Sequence, residues 1–406
     1  MRSDQILEDI LAIEAGAARI EGALLADPDL GRVWRVQAAL TEVCRSVGME
    51  DIAVREGDLA TRPLRVSIDD GETARGVWLA GEMLRVMLSP GNLFDDPERV
   101  LSRCLRNGVR PEGSEYPIPN ADPELAAKVL AAVRNAPGPL IGALRGALTM
   151  RTLTFSASPS AERLLFICAD HAIRGGRTGR DLTDPLPEGL GLSAGPGEPR
   201  WVLLPSTGLS TNGFRAWSPG SVTGLPSLLE GLRQEVGRGL GAMPTLRRWR
   251  DQAVAACAGR HGKSRLRDLV RLLMSRPIVT GQIVADDLGV TPRAALNLIN
   301  EAVGTGLLEE LTRRRSYRAW VVAPMAARAL SRSAGTRGRL STRGMEGVSE
   351  GQGATQSPDM GKLDETEEGA RSPKLERDLS GEAAALEQLD AAMATADRIL
   401  ERYRTR

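Results

Sequence analysis

Aromatic side chains, histidine and cysteine are all scarce in this chain, and no long apolar run occurs. Phe, Trp and Tyr together make up 3% of its 406 residues. A core must therefore rest on Leu, Val, Ile and Ala, which suits packed helices better than a sandwich. Four cysteines, Cys44, Cys104, Cys168 and Cys257, lie far apart. No pair has zinc-ligand or redox spacing, so they read as free thiols of a reducing cytosol, with no metal and no cofactor expected. No stretch approaches the roughly 20 apolar residues of a membrane span. The first 16 residues carry acids where a secretion signal carries bases, so the protein is expected to stay in the cytoplasm, away from membranes. Basic and acidic residues number 53 and 52. That balance hides a local asymmetry, because from Arg247 to Arg276 there are nine Arg or Lys and two Asp.

Helical periodicity fills most of the chain. Ile6, Ile10, Ile13, Ala17, Ile20 and Leu24 form one apolar stripe, and a second covers 33–47 after the break at Asp27, Pro28 and Asp29. A third, over 73–88, ends at Pro90 and Gly91. Asp96 before Pro97 is a cap-and-first-turn signal for a helix to Leu105. The Pro- and Gly-rich stretch 108–121 reads as a surface connection, and helices over 123–133 and 138–150 follow. Leu164 to Cys168 is expected to run into a long loop lasting to about Arg200. Two more helices are predicted over 226–240 and 246–259. The six tryptophans, Trp34, Trp78, Trp201, Trp217, Trp249 and Trp320, share no spacing and read as core anchors.

The stretch 264–322 has the cues of a winged helix-turn-helix. Leu266, Leu269, Val270 and Leu273 mark a first helix that stops before Pro277. Thr280 caps a second, which Gly289 ends. Thr291 caps a third, with Pro292 at its first position and Ala295, Leu298, Ile299 and Ala302 as its apolar stripe. Gly304 and Gly306 close it. Two short strands, 307–311 and 317–322, flank a basic turn and form the wing. In such modules the third helix enters the major groove and the wing follows phosphates. The expected contacts to double-stranded DNA are Thr291, Arg293, Asn297 and Asn300 on the helix and Arg313, Arg314, Arg315 and Arg318 on the wing. Arg293 suits guanine and Asn297 adenine, while Glu301 on the same face would repel phosphate. His261, between Arg260 and Lys263, fits a phosphate contact or plain exposure.

Beyond the wing the character changes. Residues 331–382 are Gly, Ser, Thr and charge, too poor in large apolar groups to offset the entropy of ordering, and read as a disordered linker. Leu386, Leu389, Met393, Ala396, Leu400 and Tyr403 then form a seam at alternating spacings of three and four. This is a short coiled coil that would pair two copies through 386–403, or an amphipathic helix that folds back on the chain.

One constellation looks catalytic. His171 is followed by Arg174, Gly175, Gly176, Arg177, Thr178, Gly179 and Arg180, and consecutive glycines can converge their N–H groups on an anion. With the winged helix downstream, this run resembles the Fic family, whose nucleotide-transferring members carry H-P-F-x-[DE]-G-N-G-R, often continued by T-G-R. The resemblance implies His171 as base toward a protein hydroxyl, with Arg180 beside it and Gly175, Gly176 and Gly179 holding nucleotide phosphates. Ala172 and Ile173 replace Pro and Phe, and neither the metal-binding acid nor the Asn is present. Glu21 and Gly22 are similar to the end of that family's inhibitory-helix motif. The layout, carried by 39–88 and 264–322, also resembles an uncharacterised family from rhizobia and related alphaproteobacteria, in which a helical domain of unknown function precedes a helix-turn-helix DNA-binding domain.

The expected architecture is mainly α. A helical domain, 1–260, precedes a winged helix-turn-helix, 261–325, a linker, 331–382, and an amphipathic helix, 383–406. The expected function is DNA binding, as a transcriptional regulator. The alternatives are AMP transfer by a degenerate Fic-like scaffold and a non-enzymatic adaptor using the winged helix on protein.

Overall fold

Caps read from the sequence set the helix starts. In the computed structural model, which describes residues 3–61, 71–109, 121–154, 158–177, 199–211, 217, 224–258, 264–312 and 318–326, Asp27 accepts from the Leu30 N–H at 3.1 Å and separates α1 (Ser3–Ala26) from α2 (Pro28–Met49). α3 (Glu56–Thr61) and α4 (Gly71–Leu88) follow. Asp96 and Asp122 cap α5 (Pro97–Asn107) and α6 (Pro123–Arg134), each with Pro in the first turn. Next come α7 (Pro139–Thr154), α8 (Pro159–Arg177), α9 (Pro205–Thr211) and α10 (Gly224–Cys257).

Three expectations are corrected here. The chain does not leave the helix after Cys168. α8 continues to Arg177, and Ala172, Ile173 and Arg174 in its last turns are buried against the body. The helices expected over 226–240 and 246–259 are one, α10, which runs through Pro244. Proline interrupts one backbone bond, yet both halves bury apolar groups, Leu232 and Val236 before it and Leu246 and Trp249 after it. Trp78 is not a core anchor. It is 53% exposed on α4, while its neighbour Val77 is buried. The other five tryptophans are buried.

Packing of the body combines consecutive helices with pairings remote in sequence. α7 lies along α8, and α10 lies against α1, α2 and α9. The backbones of α9 and α10 nearly touch, since a Cβ on Gly231 would stand 2.4 Å from the Gly208 carbonyl oxygen. Larger residues there would force the helices apart. Buried charges stitch the loops to this frame. Glu42 of α2 accepts from the N–H groups of Ser206 and Thr207 at 3.0 and 2.8 Å, capping α9 from another helix. Asp170 of α8 accepts from the N–H groups of Val202 and Leu203 and from Arg174. Cys104 and Cys168 bring their sulfurs to 3.8 Å in the core, a proximity that their separation in sequence concealed.

The remaining elements are α11 (Leu266–Ser275), β1 (Ile278–Thr280), α12 (Gly281–Leu288), α13 (Pro292–Gly304), β2 (Leu308–Glu310) and β3 (Ala319–Val322). The strands form one antiparallel sheet in the order β1-β3-β2, with Val279 opposite Trp320 and Leu308 opposite Val322. β1 was not anticipated, because three residues are too few to show alternation. No described helix is long and apolar enough to cross a membrane. The expected linker and terminal helix, 331–406, lie outside the described residues.

Candidate nucleic-acid interface

Local chemistry fixes the helix pair. Thr280 accepts from the Ile283 N–H at 3.2 Å, starting α12, and Gly289 ends it at φ +61°, a conformation that a side chain disfavours. Thr291 accepts from the Ala294 N–H at 3.2 Å, starting α13. Such a cap is worth about 1 kcal/mol. Ala295, Ile299 and Ala302 bury one side of α13 against its neighbours α11, α12 and β2.

The opposite side of α13 is the candidate surface. Arg293, Asn297 and Asn300 are all exposed there, and none has a hydrogen-bond or ion-pair partner among the described residues. Thr291 is also exposed, but its hydroxyl is engaged in the cap. Leu296, 41% exposed, lies beside Gly281 at the start of α12 and gives the surface an apolar contact. Glu301, expected to face phosphate, is only partly exposed.

Most other arginines of the module are neutralised. Arg265 pairs with Asp268 at 2.6 Å and Arg276 with Asp287 at 2.9 Å. Arg271 is 3.7 Å from Asp268. Arg318, expected to hold phosphate, instead grips both oxygens of Glu310 and lies 5.2 Å from the Trp320 ring centre. That guanidinium holds the Glu310 carboxyl below its ordinary range. Over 264–326 the sequence has nine arginines and six acids, a surplus of three basic residues. Arg313, Arg314 and Arg315 are three of the nine. Those three, with His261, lie outside the described residues.

Sequence reasoning missed how the module is held. α2 packs on α11, and α3 packs beside β1. The Trp249 indole N–H of α10 donates to the Leu307 carbonyl at 2.9 Å, and the Gln252 amide donates to the Thr305 carbonyl. Both acceptors belong to the turn that ends α13. The candidate surface on α13 is thus tied to the helical body through α10, while α2 and α3 support the module elsewhere.

The run at His171 is a different object from the loop expected. His171 to Arg177 is the last part of α8, so Gly175 and Gly176 lie in helical backbone and form no anion-holding turn. Thr178, Gly179 and Arg180 lie outside the described residues. His171 accepts from the Arg200 N–H through Nδ1 at 2.9 Å. Burial, with Arg35 and Arg200 nearby, pushes its pKa down to about 4. Arg174 is buried between Asp170 at 2.9 Å and Glu21 at 3.0 Å. The geometry is that of a strut for the segment after residue 198.

Residues 266–323 match the family of HTH DNA-binding domains. An uncharacterised protein of Sinorhizobium fredii is 42% identical over 64 residues, which are 16% of this chain and 16% of that protein. The likeness is confined to a small share of each. Together these findings identify a helix-turn-helix DNA-binding domain in the C-terminal part of the described chain.

Proposed function

We propose that this protein is a transcriptional regulator acting in the cytoplasm, whose winged helix-turn-helix, 261–325, reads double-stranded DNA while the helical domain, 1–260, positions and controls it. The observation that carries this reading is the outer face of α13, where Arg293, Asn297 and Asn300 stand exposed and without partners on a helix capped at its start. Those are side chains suited to base edges. Arg313, Arg314 and Arg315 supply positive charge for the phosphate backbone. Pairing of two chains through 386–403 would match a two-half-site operator.

Selection of bound fragments from random genomic duplex tests the reading, with one enriched site expected. Arg293→Ala or Asn297→Ala should then cost about 1–3 kcal/mol on that site and little elsewhere. Replacing Arg313, Arg314 and Arg315 by Ala should weaken all duplexes alike, with the log–log salt slope falling by about 0.9 per lost contact. Unchanged binding in the triple variant would overturn the wing's role, and absence of any duplex binding would overturn the function.

A further inference from the structure

The outer face of α13 carries one residue that hydrogen bonding to bases does not account for. Leu296 is 41% exposed in the second turn. Arg293 precedes it by one turn, Asn300 follows it by one, and Asn297 is its neighbour. That spacing puts the four on one side of the helix, and all four are exposed. Leu296 is nevertheless held in place. A Cβ on Gly281, the first residue of α12, would stand 3.2 Å from its Cδ2 and 3.6 Å from its Cγ, so the leucine packs against the Gly281 backbone at the start of the neighbouring helix. A side chain held in this way has less freedom to lose on binding. Val303 is exposed on the same helix, but it stands about 10 Å further along the axis, whereas such a helix meets base edges with its N-terminal residues.

We infer that Leu296 reads the C5 methyl of a pyrimidine in the major groove, thymine above all, next to the base pair that Asn297 contacts; this rests on the DNA-binding function proposed above. The groove offers few apolar features. Each base pair presents donors and acceptors there, and thymine adds its methyl group. A leucine laid over an amino group or a carbonyl oxygen takes it from water and returns no hydrogen bond. Over a methyl, both apolar partners leave water together. 5-Methylcytosine carries the same methyl beside an amino group, where thymine has the O4 acceptor. The face thus divides its work. Arg293 and Asn297 suit edges that form hydrogen bonds, and Leu296 between them favours T·A over C·G.

The test uses the full chain and the duplex it selects from amplified fragments, whose cytosines are unmethylated. Each thymine of the site is replaced in turn by deoxyuridine, which keeps O4 and base pairing and lacks only the methyl. At one position the replacement should weaken binding about 3- to 5-fold, the worth of roughly one buried methyl group. Leu296→Ala should bind the thymine and deoxyuridine duplexes equally at that position, and Leu296→Gln, which keeps the length and loses the apolar surface, should do the same. Asn297→Ala should keep the distinction, since it removes a different contact. Relative to cytosine there, 5-methylcytosine should gain less than thymine; an equal gain would make the methyl of either base the target. A site without thymine, a scan in which no deoxyuridine weakens binding, or a distinction that survives both Leu296 variants overturns the role of Leu296 and leaves DNA binding standing. A chain that selects no duplex overturns the DNA-binding function, and the role of Leu296 with it.

Discussion

The helical body and the DNA-binding module treat charge in opposite ways. In the body, Glu42, Arg163, Asp170 and Arg174 are each almost wholly buried, and besides the Asp170–Arg174 pair within α8 each has a partner on another element or on distant backbone. In the module Arg265 with Asp268, Arg276 with Asp287 and Arg318 with Glu310 pair at the surface. Buried pairs fix geometry, because losing one partner strands the other in a medium that cannot solvate it. Surface pairs contribute little and exchange readily with other ions. The body is therefore a rigid reference, and the module's outer charges are available to a polyanion.

The largest expected effect breaks the body's side of that contrast. Asp170→Ala removes the acceptor of two backbone N–H groups and of Arg174. The variant should lose about 3–5 kcal/mol of stability, read from the urea midpoint. A loss below about 1 kcal/mol would show that Glu21, with Glu14 4.0 Å away, suffices for Arg174.

His171 gives the next largest effect, and it depends on pH. Its folded pKa is about 4, against about 6.5 unfolded. The unfolded chain takes up the proton first, so stability is complete above about pH 6.5 and falls as pH drops toward 4, by up to about 3 kcal/mol. His171→Gln can still accept from Arg200 and carries no such proton. The stability difference between the two proteins should close across that window, while the carboxylates, common to both, cancel. A difference that stays flat from pH 7 to 4.5 would show the ring to be protonated in the fold.

Why most helices were legible, and α9 and the end of α8 were not, follows from where their partners lie. Thr280, Gly289, Thr291 and Pro292 act within a few residues of themselves, so their spacing announces α12 and α13. Asp27, Asp96 and Asp122 announce their helices in the same way. α9 has no cap of its own, because Glu42 supplies it from more than 160 residues away. The end of α8 has Gly175 and Gly176, which locally suggest a loop, and only the burial of Ile173 and Arg174 against distant helices keeps it wound. The face of α13 could be read as exposed from its stripe, but the pairing of Arg318 with Glu310 required the sheet register.

The joint between the two regions comes third. Trp249→Phe keeps the ring in place and removes the N–H that Leu307 accepts. A stranded carbonyl costs about 1–3 kcal/mol. Gln252→Ala, at an exposed position, should stay within about 0.5 kcal/mol. Amide exchange around 305–307 should quicken in the first variant and hardly change in the second. Equal effects from the two would show that the joint does not depend on the tryptophan.

The smallest effect concerns a single surface charge, that of Arg318. Arg318 follows Arg313, Arg314 and Arg315 closely in the chain, and sequence alone makes the four equivalent. Its bond to both oxygens of Glu310 makes it different, since a phosphate must displace a carboxylate that is already in place. Counterion release follows net neutralised phosphate, so Arg318→Ala should lower the salt slope of duplex binding by well under 0.9, the value of about one full contact. Glu310→Gln removes the competitor and should steepen the slope by up to about 0.9. If instead Arg318→Ala costs a full contact and Glu310→Gln changes nothing, the pair must open on DNA, and the hairpin's charge would have to be counted from all four arginines.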